Sequence, residues 1–205
     1  MRESASRGNS ALVAIHYQND VIHADGRVRA GSPGSEMARH RLVSVAKEML
    51  RGARALRLPI FHVRIAFRPD YSDLIQNCVL FQKVAEAGAV KDGDWGAQFF
   101  EGLGPEGGQT EEFVINHLRT SAFIGTELNL LLSRLNVRHL IIAGVATHSA
   151  VEMTVRHATD LGYWVTVAAD ACGCADAQAH EASLSSMALV SEVTSVRLAL
   201  EQVRG

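Results

Sequence analysis

Basic side chains that could bind an anion or transfer a proton stand at the ends of successive apolar segments of this sequence. His16 follows ALVAI, Arg64 lies near the end of PIFHVRI, and His117 and Arg119 follow FVIN. An imidazole suits acid or base catalysis because its unperturbed pKa of about 6.5 lies close to neutral pH, and a guanidinium group binds carboxylates. We therefore predict that His16 and His117 share acid–base work and that Arg64 or Arg119 holds a small anionic substrate.

The apolar segments indicate the elements that must position these side chains. They are continuously apolar rather than alternating, which is typical of parallel strands covered by helices on both faces. We expect a three-layer α/β/α fold with a mostly parallel, doubly wound, Rossmann-like sheet of about six strands. The strands are predicted at 11–16, 59–65, 113–118, 139–145, 163–170 and 192–195.

Helical patterns fill most of the connections between these strands. Apolar residues recur at helical spacing from Ser35, a potential N-cap, to Leu56, and helices are also predicted over 125–136 and 147–161. Residues 66–111 are interpreted as a long irregular connection. We predict a disordered polar tail over 1–9 and a single domain over 10–205. In such a sheet ligands bind outside the carboxyl ends of the strands, so the predicted site residues should converge there.

Four segments of the sequence match a known family. They are ALVAIHYQND, VRIAFRPDYSD, NHLRTSAFIGTEL and GVATHSAVEMTVRHATDLGYWVTVAADAC. Together they cover much of the chain, which resembles the isochorismatase-like hydrolases, the superfamily that includes the nicotinamidases. The resemblance implies a hydrolase of small molecules that needs no cofactor. It also implies a cis peptide at Val145-Ala146 and an oxyanion hole formed by the backbone amides of Ala146 and Ala150.

The sequence departs from the family at the three usual catalytic positions. The family typically has an aspartate, a lysine and a nucleophilic cysteine where this chain has His16, His117 and Ala150. Alanine has no lone pair that could attack a carbonyl carbon, so a thioester mechanism at this position is excluded. The other residues that the resemblance assigns to substrate binding are Gln18, Phe123 and Thr147.

Three functions are compatible with these residues. The leading hypothesis is a noncovalent hydrolase in which water attacks an enol ether or a C–N or C–O bond. The first alternative is a catalytically inactive protein whose inherited pocket binds a small ligand. The second is a metal-assisted hydrolase with His16, His117 and possibly His62 as ligands, although no Asp-x-His cluster supports it and no metal is predicted.

Composition restricts the partners and the compartment. The formal net charge of −2 gives no electrostatic reason to expect nucleic acid or a membrane surface as a partner. The polar N-terminal segment MRESASRGNS has no apolar signal-peptide core, and no run of 18 apolar residues occurs, so a cytoplasmic location is expected. The sequence has three cysteines without a CxxC pair, Cys78, Cys172 and Cys174, which indicates reduced thiols. None occupies the nucleophile position, and hydrolysis should survive their alkylation.

The connection over 66–111 suggests an oligomer. It contains apolar residues that one sheet is not expected to cover completely, and their exposure would favour a homodimer or a homotetramer. These residues are Leu74, Val79, Leu80, Phe81, Trp95, Phe99 and Phe100.

Overall fold

The computed structural model describes residues 9–28, 34–108 and 111–204. In these ranges six strands form one parallel sheet with the order β3-β2-β1-β4-β5-β6. The strands are Ser10–Ile15 (β1), Ile60–Ile65 (β2), Glu112–His117 (β3), His139–Gly144 (β4), Trp164–Ala168 (β5) and Glu192–Thr194 (β6). The predicted sheet is confirmed, with strand ends that agree to within a few residues.

The strand order reverses between β1 and β4. The chain adds β2 and β3 on one side of β1, then crosses to the other side and adds β4, β5 and β6. Loops that leave the carboxyl ends of β1 and β4 therefore diverge and open a crevice, which is where doubly wound sheets bind ligands. His16 lies directly after β1, and the turn that begins at Val145 lies directly after β4.

Helices cover both faces of the sheet. They are Asn19–Ile22 (α1), Glu36–Ala55 (α2), Val79–Glu86 (α3), Leu128–Arg134 (α4), Glu152–Asp160 (α5), Ala177–Met187 (α6) and Val196–Val203 (α7). Helix α2 packs against α7, and α5 packs against α6. The predicted N-cap of α2 is confirmed, because the Ser35 hydroxyl accepts a hydrogen bond from the Ala38 amide.

The central strands form the core. All six residues of β1 are buried, as are the last five of β4, and this explains their continuous apolar sequence. Gly144 at the end of β4 has φ 143°, and a Cβ there would lie 2.2 Å from the Ile15 carbonyl oxygen. Only glycine allows the two central strands to approach so closely where they end.

The interpretation of 66–111 as irregular was wrong in part. Helix α3 lies within it, and a short 3₁₀ turn follows at Trp95–Ala97. Leu74 and Phe81 are buried in a second small hydrophobic cluster, whereas Val79 and Trp95 are exposed. The chain therefore covers part of the apolar surface that suggested an oligomer, and the homodimer or homotetramer stays a prediction.

At the N-terminal side of the domain, the structure describes only part of the tail predicted over 1–9. Residues 1–8 of the predicted tail lie outside the described residues. Asn9 does not belong to a tail, because its carbonyl oxygen accepts a hydrogen bond from the Arg138 amide. No helix in the described ranges is long and apolar enough to cross a membrane.

Candidate active site

Two histidines at the ends of β1 and β3 meet at the carboxyl edge of the sheet. His16 follows β1 and has φ 54°, a left-handed conformation that residues other than glycine rarely adopt. His117 is the last residue of β3. The Nε2 atoms of the two rings form a hydrogen bond, and the ring centroids are 4.7 Å apart. The structure thus brings together the two side chains to which the sequence assigned acid–base work.

The neighbouring carbonyl groups fix how the protons are arranged in this pair. Nδ1 of His117 lies 3.3 Å from the Ser121 carbonyl oxygen, which can only accept a hydrogen bond, so this nitrogen carries the proton. In the neutral pair Nε2 of His117 is therefore the acceptor, and His16 donates its Nε2 proton. This arrangement would leave the lone pair of His16 on Nδ1, while the Val145 carbonyl, a second acceptor next to the ring, favours a proton on His16.

Both imidazoles are held in the neutral form. Burial lowers the pKa of His117 to about 4, against a smaller opposing effect of the Ser121 carbonyl. Burial and the neighbouring His117 hold the pKa of His16 well below its usual value, while the Val145 carbonyl acts in the opposite direction. At neutral pH the pair is therefore uncharged, and the first proton that it takes up makes one ring an imidazolium beside a neutral partner.

A cavity of about 260 Å³ opens beside His16. His117 is not part of its wall, because it lies behind His16 and is only 1% exposed. The expectation that both histidines line the pocket together with Ala150 is thus corrected for His117. The cavity is lined by His16, Val21, Val28, Ile65, Leu80, Phe81, Val84, Val90, Arg119, Thr120, Ala146, His148, Ser149 and Ala150.

The turn after β4 forms the polar side of the cavity. The Val145-Ala146 peptide bond is cis, and a π-helical turn at Thr147–Val151 follows it. The predicted single helix over 147–161 is therefore divided into this turn and α5. Ala146 and Ala150 both line the cavity. At position 150 the protein therefore presents only a methyl group to the ligand space.

The two arginines predicted to hold a carboxylate have different surroundings. Arg119 lines the cavity and donates hydrogen bonds to the Ile75 carbonyl and the Asn77 side chain, both of them uncharged groups. Its guanidinium also stacks over the Phe81 ring at 4.6 Å. Arg64 is outside the cavity wall and pairs with Asp92 at 3.0 Å. Of the two, the structure therefore leaves Arg119 as the candidate for anion binding.

The structure does not bring the other predicted binding residues into the cavity. Gln18 is fully buried, and its side-chain amide bonds to both backbone groups of Ile65 and to the Ala97 carbonyl. The Thr147 hydroxyl donates to the Gly173 carbonyl. These two side chains fasten loops to one another, because their polar atoms are occupied within the protein. Phe123 packs against the rings of His157 and Tyr163.

His62 cannot complete a metal site with the histidine pair. Its Nε2 lies 2.7 Å from a carboxylate oxygen of Glu112, the first residue of β3, and Arg54 binds the same carboxylate at 2.8 Å. These partners lower the pKa of Glu112 to about 2, although burial acts in the opposite direction. In the described parts of the chain no three His, Cys, Asp or Glu side chains are grouped as metal ligands. This arrangement corrects the metal-assisted alternative as far as it depends on His62.

Sequence reasoning missed two parts of the site. The first is the apolar wall supplied by α3 and the residues after it, since 66–111 was interpreted as irregular; the helical spacing of Leu80, Phe81 and Val84 was the available signal. The second is His148, which lines the cavity and lies 2.8 Å from the sulfur of Cys174. These two residues are far apart in sequence, and no motif links them.

Comparisons with known proteins identify the family. The model of the isochorismatase domain matches residues 10–197. The chain is 29% identical over 176 residues to the uncharacterized isochorismatase family protein YecD of Escherichia coli O157:H7, covering 86% of both chains. It is 31% identical over 188 residues to a probable inactive nicotinamidase of Arabidopsis thaliana, covering 87% of this chain and 88% of that protein.

Solved structures show the same fold. An isochorismatase family protein from Desulfovibrio vulgaris is 30% identical and superposes with a TM-score of 0.80, covering 96% of this chain and 98% of the other. The extent of the domain match, the strand order and the cavity at the reversal point all point to one assignment. The chain belongs to the isochorismatase family.

Proposed function

We propose that this protein is a noncovalent hydrolase in which the His16–His117 pair activates water for attack on a small substrate. The observation that carries the proposal is the hydrogen bond between the two rings, one of which lines the cavity; we assign the basic lone pair to Nδ1 of His16. His16 is the catalytic residue in this scheme. His117 is a positioning residue, because it orients His16 and does not touch the cavity.

The reaction follows from the neutral state of the pair. Nδ1 of His16 takes a proton from water as the hydroxide oxygen bonds to the carbonyl carbon of the substrate. The amides of Ala146 and Ala150 stabilise the oxyanion that forms. His16 then returns the proton to the leaving nitrogen or oxygen as the C–N or C–O bond breaks. Since the low pKa of His16 leaves it unprotonated at neutral pH, it can accept a proton from water but is not poised to protonate an enol ether, and the scheme favours amides, ureas and esters.

The cavity wall suggests the shape of the substrate. The wall is mostly apolar, with side chains such as Val21, Phe81 and Val84, and its polar groups include His148 and Arg119, whose guanidinium stacks on Phe81. A ligand with a small aromatic or branched apolar body and an anionic or carbonyl end would match this lining. Arg119 is suited to the anionic end because both of its hydrogen-bond acceptors are uncharged.

A ligand-binding protein without activity is the second candidate. It is favoured by the methyl group of Ala150 at the nucleophile position and by the similarity to the probable inactive nicotinamidase. In that case His16 and His117 would form only a structural contact. Both candidate proteins bind a ligand, but only the hydrolase turns it over. A measurement of turnover therefore distinguishes them.

A substrate screen with matched variants tests the proposal. Carboxylate-bearing amides, ureas, esters, lactones and vinyl ethers are incubated with wild type and with a His16→Gln/His117→Gln double variant from the same purification, and the metal content is measured in each preparation. Hydrolysis by wild type that is lost in the double variant supports the proposal. Binding of screened compounds without hydrolysis by either protein would instead indicate the ligand-binding protein.

A further inference from the structure

Outside the histidine pair, a buried thiol meets an imidazole that lines the cavity. The sulfur of Cys174 lies 2.8 Å from Nδ1 of His148. Cys174 is a free cysteine and is 6% exposed, whereas His148 is exposed and lines the cavity. The residues after Cys174, 175–178, are also exposed. The thiol therefore lies just beneath the surface, with the imidazole next to it.

Backbone hydrogen bonds hold the two loops that carry this pair. His148 belongs to the π-helical turn after β4, and Cys174 belongs to the loop after β5. The Gly173 amide donates to the Gly144 carbonyl, and the Thr147 amide donates to the Gly173 carbonyl at 2.9 Å. These bonds hold the two loops next to each other, so the backbone keeps the two side chains within reach of one another.

The surroundings of Cys174 favour reaction only with the help of a base. Burial and the nearby Asp176 carboxylate raise the pKa of the Cys174 thiol, and the amides of Asp176 and Ala175 at the start of α6, which stabilise a thiolate, do not offset them. At neutral pH the sulfur is therefore protonated, and the imidazole must accept the proton as the sulfur attacks. Cys172 differs, because its thiol donates to the Ala168 carbonyl, which cannot accept the proton, and burial raises its pKa to about 12.

We propose that Cys174 and His148 form a reactive thiol–imidazole pair, a modification site for soft electrophiles such as hydroperoxides and haloacetamides. With a hydroperoxide, the Cys174 sulfur bonds to the terminal oxygen while the O–O bond breaks, which oxidises the thiol to a sulfenic acid by two electrons. His148 takes the thiol proton and passes it to the leaving alkoxide or hydroxide. With iodoacetamide, an S–C bond forms, iodide leaves, and the proton passes from His148 to solvent.

Competition among the three cysteines for iodoacetamide tests this proposal. The full-length protein is labelled for short times, and the carbamidomethyl group at each cysteine is measured by peptide mass spectrometry. We expect Cys174 to react faster than Cys172, although both are buried to the same extent. His148→Gln should slow the reaction of Cys174 by about 10²-fold, the smaller end of what a positioned base contributes. Exposed Cys78 is the internal control and should keep its rate in both proteins.

The pH dependence separates a base from a merely structural contact. In wild type the rate at Cys174 should rise little between about pH 7 and about pH 9, whereas in His148→Gln it should rise with ionisation of the thiol. If His148→Gln merely loosened the loops, Cys172 would react faster as well. Equal rates at Cys174 and Cys172 in wild type, or a wild-type rate at Cys174 in His148→Gln, would overturn the proposal. The readout is labelling, so it does not depend on the hydrolase activity.

Discussion

His117 bonds through Nε2 to the Nε2 atom of His16, and only His16 reaches the cavity. The Ser121 carbonyl fixes the proton on the far side of His117, so the hydrogen bonds assign different roles to two residues of the same type. The His117 ring orients the His16 ring, as hydrogen bonds from residues behind a catalytic side chain do in many active sites. The predictions below follow from this arrangement and from the cavity beside it.

The pH dependence of stability should report the buried histidines. Their pKa is lowered in the folded state, so the unfolded chain takes up protons first as the pH falls. The free energy of unfolding should therefore be highest above about pH 6.5 and fall between about pH 6.5 and about pH 4. Urea titrations at several pH values measure this loss. Burial also lowers the pKa of three other histidines, His62, His139 and His180, which contribute in the same window.

Substitution isolates the contribution of the pair to this loss. His16→Gln/His117→Gln should lose less stability than wild type between about pH 6.5 and about pH 4.5. His40→Gln is the matched control, because His40 lies on α2 with its side chain 76% exposed. A double variant with the same pH dependence as wild type would contradict the assignment of neutral, buried rings.

Arg119 and Arg64 form a matched pair for substrate binding. Arg119→Gln should raise KM for an anionic substrate by about 10-fold or more, because it removes a charge-assisted contact inside the cavity. Arg64→Gln removes a guanidinium that pairs with Asp92 outside the cavity wall, and KM should stay near the wild-type value. Steady-state kinetics on an anionic substrate and its uncharged analogue distinguish the two effects. If Arg119→Gln and Arg64→Gln changed KM equally, the assignment of anion binding to Arg119 would be refuted.

The cysteines should be dispensable as nucleophiles. Cys78→Ala/Cys174→Ala should retain kcat within about twofold, since neither sulfur is part of the cavity wall. Substitution is a sharper test than alkylation, because a group attached to Cys174 would press against His148. Loss of kcat in Cys174→Ala alone, with the fold intact by circular dichroism, would mean that this thiol attacks the substrate.

Restoring the missing sulfur should not by itself create a proficient amidase. Ala150→Cys would place a thiol in the cavity, but the neighbouring His16 and His117 are a neutral pair in place of the family's aspartate and lysine. Without those charged groups the thiol is not tuned for attack. Intact-protein mass spectrometry during turnover should show no acyl adduct. Accumulation of such an adduct with a large gain in kcat would contradict this account.

Much of the fold follows from local patterns, and much of the site does not. The buried run of β1 and the Ser35 cap could be predicted from neighbouring residues alone. The turn at Val145 and the pairing of His16 with His117 followed from the resemblance and from the positions of the strand ends. The roles of polar side chains were harder to predict, because the sequence shows the type of each side chain and does not show its hydrogen-bond partners.

Gln18 and Arg64 illustrate this difficulty. Both stand close to strand ends, as ligand-binding residues do, but one bonds to the backbone of β2 and of the 3₁₀ turn and the other pairs with Asp92. The contact between Cys174 and His148 depends on two loops that only the sheet brings together. Such contacts arise from tertiary structure and leave no local signal.

The kinetics of the histidine variants test the central claim most directly. On a substrate from the screen, His16→Gln should lower kcat by about 10²-fold or more, the usual contribution of a positioned base. His117→Gln should lower kcat with little change in KM, since it lies behind the cavity wall. The double variant should lose little beyond His16→Gln, because the two rings act as one unit. Full activity in both single variants would show that the reaction does not use this pair.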